Sequence, residues 1–192
     1  MNSSSDVRPR VVAVHRSSTH TFSKFEVDAI ELIAGIGVLD DAHAGVTVKH
    51  RSRVAMIEAG RADASTPNLR QVHLIAVETL DELGAKGHPI RPGELGENVT
   101  MSGIDLFSLL TGARLEFEGG VVVSITGLRN PCRQIEEFRP GLLAEVRSER
   151  PDGSVVRRVG VMGVVVHGGT IAVGAKVTVK DPPAGASPLL VV

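Results

Sequence analysis

The sequence predicts a mainly β domain, β-rich α+β in class. Its strands are expected to wrap into a barrel-like closed sheet with a few short helices. Three observations predict it. Val- and Ile-rich runs of strand length recur along the chain. The 21 glycines and 10 prolines punctuate those runs with turns. Helix-period segments are few and short, so the count is about eight to ten strands and two or three helices. A β-rich single domain with short strands is most simply closed into a barrel. At 192 residues it can bury a core without disulfide or metal staples.

The elements follow in order. Residues 1–10 are expected to be a flexible leader, 11–180 the domain, and 181–192 a tail that need not be ordered. Arg10 to His15 reads as the first strand. Ser17 to Ser23 is a polar loop. Val27 to Val38 gives one or two strands broken by Gly35 and Gly37. Val46 to Asn68, with Lys49, His50, Arg51, Arg53 and Arg61, reads as a surface excursion, either a solvated charged face or a positive lip for an anion. Arg70 to Val77 is a strand containing His73, which is expected to be a satisfied core histidine. Glu78 to Lys86 is an amphipathic helix stopped by Gly87. Ala113 to Ile125 is a hairpin turning at Gly119-Gly120. Arg133 to Val146 is a helix interrupted at Pro140-Gly141. A charged loop turns at Pro151-Asp152-Gly153. A strand from Arg157 to Val166 follows, and Ile171–Val173 and Lys176–Val179 finish the sheet.

Composition narrows the function classes. The net charge is −1, from 21 basic and 22 acidic residues. That balance gives no electrostatic basis for nucleic acid or an anionic membrane surface as partner. Tyr and Trp are absent, which weakens base stacking further. No stretch of about 18 apolar residues spans a membrane, and no apolar signal core opens the chain. One cysteine cannot make an internal disulfide, and it suits a reducing cytosol. A cytoplasmic location is therefore expected.

Three stretches carry candidate chemistry. Thr126-Gly127-Leu128-Arg129-Asn130-Pro131-Cys132-Arg133-Gln134 sets the lone cysteine between arginines. Flanking guanidinium groups and a helix starting near Pro131 would favour a thiolate. The bland alternative is a small buried hydrophobe, but Arg129, Asn130, Arg133 and Gln134 are poor company for one. Asp40-Asp41-Ala42-His43 offers carboxylates and an imidazole for polar recognition or proton transfer, or else a turn whose aspartates cap backbone amides. Pro92-Gly93-Glu94-Leu95-Gly96-Glu97-Asn98 is a glycine turn that would present Glu97 and Asn98, the latter suited to the edge of a heterocycle. It lacks the spacing of a dinucleotide or phosphate loop.

Taken in order, these stretches resemble the MOSC domain, named for the C-terminal part of molybdenum cofactor sulfurases. The resemblance runs from Val11 to Val179. It rests on Asp41-Ala42-His43-Ala44-Gly45, Arg70-Gln71-Val72-His73-Leu74-Ile75, Pro92 to Asn98, Gly103-Ile104-Asp105-Leu106, Thr126 to Cys132, Gly160-Val161-Met162 and Gly168-Gly169-Thr170-Ile171. The chain most resembles the small stand-alone bacterial members. It departs at Asp40, where members often have glycine, and at Ala175, where they often have aspartate.

The resemblance implies a pyranopterin molybdenum cofactor. It implies Cys132 as metal ligand or sulfur carrier, in line with the softness of a thiolate donor. Asn98, His43 and Asp41 would meet the pterin or act in proton transfer, with Glu97 on the same loop. Arg70, Arg129, Arg133 and Arg158 are the candidate cations for its phosphate. The implied activity is reduction of N-hydroxylated compounds such as hydroxylaminopurines and amidoximes. The chain has no cysteine cluster and no dinucleotide motif, so electrons would come from a separate protein. The alternatives are a carrier with a persulfide on Cys132 and a non-catalytic anion-binding module. Pyridoxal phosphate has no support: Lys24, Lys49, Lys86, Lys176 and Lys180 are the only lysines, and none sits in a phosphate-binding context.

Overall fold

The chain is seen in a computed structural model that describes residues 8–48, 56–60 and 63–192. Residues 1–7 of the expected leader and the basic positions Lys49, His50, Arg51, Arg53 and Arg61 lie outside the described residues. Thirteen strands are described. They are β1 (Arg10–Arg16), β2 (Phe25–Val27), β3 (Ala29–Ile33), β4 (Gly37–Val38), β5 (Val72–Ala76), β6 (Val99–Ser102) and β7 (Arg114–Phe117). Then come β8 (Val122–Leu128), β9 (Arg147–Glu149), β10 (Val155–Arg157), β11 (Val161–His167), β12 (Gly169–Ala172) and β13 (Val177–Lys180). Helices are α1 (Val77–Ala85), α2 (Arg133–Phe138) and α3 (Leu142–Val146).

Eight strands form the main sheet in the order β13-β7-β8-β11-β5-β6-β1-β2. β12-β3-β4 form a second sheet and β10-β9 a small ribbon. The expected barrel does not close. The C-terminal half of β1 takes β2 as its outer neighbour. Contact from its N-terminal end to the far strand is one isolated bridge, Arg10 to Lys176, with three loop hydrogen bonds around it. A continuous ladder would be needed to remove both edges.

β5 and β6 are parallel, so the chain must cross over between them, and α1 makes that crossing. The end of α1 follows the expected stop. Gly87 N–H donates to Gly84 O at 3.0 Å and His88 N–H to Leu83 O at 2.9 Å, the pairing of a Schellman motif. The hairpin β7–β8 forms as the alternation predicts, with Leu115 opposite Val123. The helix after Cys132 breaks at Pro140-Gly141, also as expected. The predicted long strand from Arg157 is instead two pieces. Arg158 N–H bonds to Val146 O at 2.9 Å, which draws Val155–Arg157 onto β9 and leaves β11 to begin at Val161.

The core has two parts. The larger lies between the sheets and includes Val14, Ile30, Leu32, Leu74, Met101, Leu115, Ile125 and Ile171. The smaller packs α1, α2 and α3 against Ile75, Leu95 and Val159. Burying side chains of this size stabilises by roughly 1.5–3 kcal/mol each. This second cluster fixes α2, and therefore Cys132 at its start.

The segment after β13 runs back over the sheet. Leu189 is buried in the main core, Leu128 N–H donates to Leu190 O at 2.8 Å, and Val191 bridges Leu128 in parallel. Among the described residues, no helix is long and apolar enough to cross a membrane.

Candidate functional site

β8 leaves the sheet at Leu128 beside the ends where β5 and β11 enter it. A cavity of about 380 Å³ opens there. That volume lies in the about 300–1,000 Å³ range of ligand pockets. Its lining comes from six places. The loop after β1 gives His20, Thr21, Phe22 and Lys24; the loop after β4 gives His43. Entry to β5 gives Arg70 and His73, and the loop before β6 gives Gly96 and Asn98. Arg129, Asn130, Cys132, Arg133 and Gln134 follow β8, and Met162 comes from β11. Four of these side chains are cationic by type, and no carboxylate is among them.

Cys132 caps the N-terminus of α2. Its carbonyl accepts from Ile135 N–H at 3.0 Å. Pro131 therefore stands just before the helix rather than in its first turn. The half-buried thiol is 3.7 Å from Gln134 Oε1. Arg70 and Arg129 lie within electrostatic reach of Cys132. Burial pushes both guanidinium groups down from their usual value, and the electrostatic interaction with Cys132 works in the opposite direction. Arg129 lies over the Phe22 ring, 5.8 Å from its centroid, and its buried Nη1 has no partner among the described residues.

Behind this wall is a buried polar cluster centred on Asp41. Oδ2 accepts from Lys24 Nζ at 2.6 Å, Asn98 Nδ2 at 3.0 Å and Ser17 N–H at 3.3 Å. Oδ1 takes His43 N–H at 3.0 Å and lies 3.2 Å from His43 Nδ1. Burial alone would raise the carboxyl, but the bonds from His43 and the Lys24 ammonium outweigh it, so Asp41 stays well below the usual carboxylate range. Side chains of Lys24 and Asp41 are 4% and 2% exposed, while His43 is 32% exposed and faces the cavity. His43 also meets His20 edge-on, with centroids 5.1 Å apart.

The remaining expected residues divide. Asn98 reaches the cavity, but its amide is already engaged: Oδ1 accepts from His73 N–H, and Nδ2 donates to Asp41 and to His15 O at 3.2 Å. It holds the loops together rather than offering a free edge. Glu97 is fully buried away from the cavity and pushed up by burial. Its Oε1 accepts from Gly93 N–H at 2.6 Å and Thr100 Oγ1 at 3.0 Å, so it pins the glycine turn. Gly96 is needed there, because its φ is +79° and a Cβ would sit 2.4 Å from Phe22 O. Arg133 borders the cavity, but its Nε pairs with Glu137 at 3.1 Å on the surface. Arg158 is elsewhere: it pairs with Glu82 at 3.0 Å, lies over Phe107 and lines a second, smaller cavity. His73 is buried, as expected, with Nε2 2.9 Å from Val159 O, and burial holds it well below its ordinary value.

Lys24, His20 and Phe22 escaped the sequence reading. They sit in or beside a stretch read as a polar loop, and nothing in its pattern marks one lysine for burial. The glycine turn before β6, by contrast, is a usable signal.

A β-rich fold with a thiol at the mouth of a cationic cavity defines the class. The chain belongs to the MOSC domain family, whose model matches residues 61–178. That family is linked to binding of the molybdenum cofactor. Among solved structures, YuaD from Bacillus subtilis superposes with a TM-score of 0.70 at 26% identity, covering 90% of this chain and 96% of that one. YiiM from Geobacillus stearothermophilus gives 0.60 at 15% identity, covering 94% and 79%. YiiM from Escherichia coli gives 0.58 at 14%, covering 93% and 73%. Those two likenesses concern the fold. No curated protein matches this chain.

Proposed function

We propose that the cavity binds a pyranopterin molybdenum cofactor through Cys132 and reduces N-hydroxylated compounds with electrons from a separate protein. The observation that carries the reading is the pairing of a thiol with Arg129, whose buried Nη1 lacks a partner in a cavity lined by no carboxylate. A buried guanidinium nitrogen left unpaired calls for an anion. The donor set suits the group: a soft sulfur for the metal and two arginines for the phosphate.

When bound, the cofactor supplies two-electron oxygen-atom chemistry. Reducing an N-hydroxyl group to the amine takes two electrons and two protons and releases water. The chain's own residues account for binding and proton supply. Arg129 and Arg70 hold the anion. Asp41 engages His43 through Nδ1, which leaves Nε2 to exchange a proton with a ligand in the cavity. Lys24 keeps Asp41 ionised.

The test is turnover. Protein purified without oxygen from a cofactor-producing host is given a hydroxylaminopurine and reduced viologen. Wild type is expected to form the amine, Cys132→Ala none, and His43→Ala product at a rate lowered by about 10²-fold. Stoichiometric molybdenum without turnover on any N-hydroxylated substrate would overturn the reductase reading in favour of a carrier.

A further inference from the structure

The segment that follows β13 reaches the cavity's own arginine. Ser187 O accepts from Thr111 N–H at 2.9 Å, and Pro188 bridges Leu110. Leu190 O accepts from Leu128 N–H at 2.8 Å, and Val192 N–H donates to Leu128 O at 3.4 Å. The segment thus adds a short parallel piece to the end of β8, one residue before Arg129. Beyond it, Arg70 Nη2 donates to Val192 O. Arg70 lines the same cavity as Cys132.

Gly127 makes the docking possible. A Cβ there would lie 2.3 Å from Leu190 O and 2.7 Å from Val192 Cγ1, so the segment rests directly on bare backbone. Leu189 is buried, but Leu190 is 74% exposed and Val191 38%. Residues 187–192 carry no charged side chain. Leu189 stays packed in the main core, but beyond it the few buried side chains of residues 190–192 are the mark of a piece that opens at low cost.

We propose that residues 190–192 are a detachable strap that regulates anion binding in the cavity by occupying Arg70. With the strap docked, Arg70 Nη2 is engaged by Val192 O, while Arg129 Nη1 is buried without a partner among the described residues. With it released, Arg70 is free to take an anion beside Cys132. The coupling is reciprocal, so an anion bound to Arg70 also favours release of the strap. The inference rests on reading the cavity as an anion site, not on which cofactor fills it.

The experiment uses the single cysteine as reporter. Alkylation rates of Cys132 are measured at low salt with iodoacetate, an anion, and iodoacetamide, its neutral counterpart. Their ratio reports the local cationic field and cancels simple changes in exposure. Wild type is compared with Gly127→Ala, which crowds the strap off in the full chain, and with a chain ending at Leu189, which keeps the core residue. The ratio is expected to rise roughly three- to tenfold in both. The rise is expected to vanish when Arg70→Ala is added, and to shrink in about 1 M salt. An unchanged ratio in the strap variants, or a rise that survives Arg70→Ala, overturns the proposal. If Gly127→Ala does not fold, the shortened chain decides. If the thiol reacts with neither reagent, phenylglyoxal labelling of Arg70, mapped by peptide mass, replaces it: faster labelling without the strap supports the proposal, and equal labelling overturns it. Failure to bind molybdenum would leave both readouts intact.

Discussion

Removing Asp41 is the sharpest structural perturbation of the site. Asp41→Ala deletes the acceptor for Lys24, Asn98, Ser17 N–H and His43 together. It also leaves the Lys24 ammonium, 4% exposed, without its partner. Breaking one side of a buried ion pair costs about 3–5 kcal/mol. The lost backbone hydrogen bonds add about 1 kcal/mol more. Asp41→Ala is therefore predicted to destabilise by about 4–6 kcal/mol. At a urea m-value of about 2 kcal/mol/M, the midpoint falls by about 2–3 M. Lys24→Met is predicted to cost less, about 2–4 kcal/mol, because the carboxylate keeps its other donors. The double variant buries no unpaired charge, so its cost is predicted to fall short of the sum by at least about 2 kcal/mol. Urea unfolding followed by far-UV circular dichroism measures this, since the chain has no Tyr or Trp to serve as a fluorescent probe. Costs that add within about 0.5 kcal/mol would refute the view of Lys24 and Asp41 as one coupled unit.

His15 is fully buried and pushed down to about 4, first by burial and then by Lys24. The unfolded chain binds its proton at higher pH than the folded one, so stability is lost as pH falls from 6.5 towards 4, by on the order of 3 kcal/mol. His15→Phe should flatten that part of the stability profile, and an unchanged slope would assign it elsewhere. Gly96→Ala is predicted to cost more than about 2 kcal/mol, because the strain of its positive φ adds to a clash with Phe22 O. A thermal midpoint within error of wild type would contradict that. Arg158→Ala, which breaks a half-exposed pair with Glu82, is predicted to change stability by less than about 0.5 kcal/mol and to leave molybdenum content alone. Metal loss in that variant would return Arg158 to the site.

The elements with local signals were legible in the sequence. Alternation marked β7 and β8, Gly87 marked the end of α1, and Pro140-Gly141 marked the break after α2. Cys132, Arg129 and His43 do meet at one cavity. What stayed hidden depends on contacts between distant segments. Closure of a sheet is decided by which edge β2 occupies, and no local pattern encodes that. Asn98 and Glu97 were singled out for their chemistry, yet three-dimensional neighbours engage them as braces. Lys24 looked like any loop lysine because its partner Asp41 is 17 residues away. The docked piece at 190–192 is held mainly by backbone groups and a glycine surface, which side-chain patterns do not report.

Molybdenum per chain tests the central claim most directly. Wild type and Cys132→Ala are expressed in a cofactor-producing host, purified without oxygen, and assayed for metal and pterin. The account predicts near-stoichiometric molybdenum in wild type and its loss in Cys132→Ala, with both proteins folded by circular dichroism. Equal molybdenum in the two, or none in wild type even after reconstitution, would contradict the assignment of Cys132 as the anchor of a cofactor site.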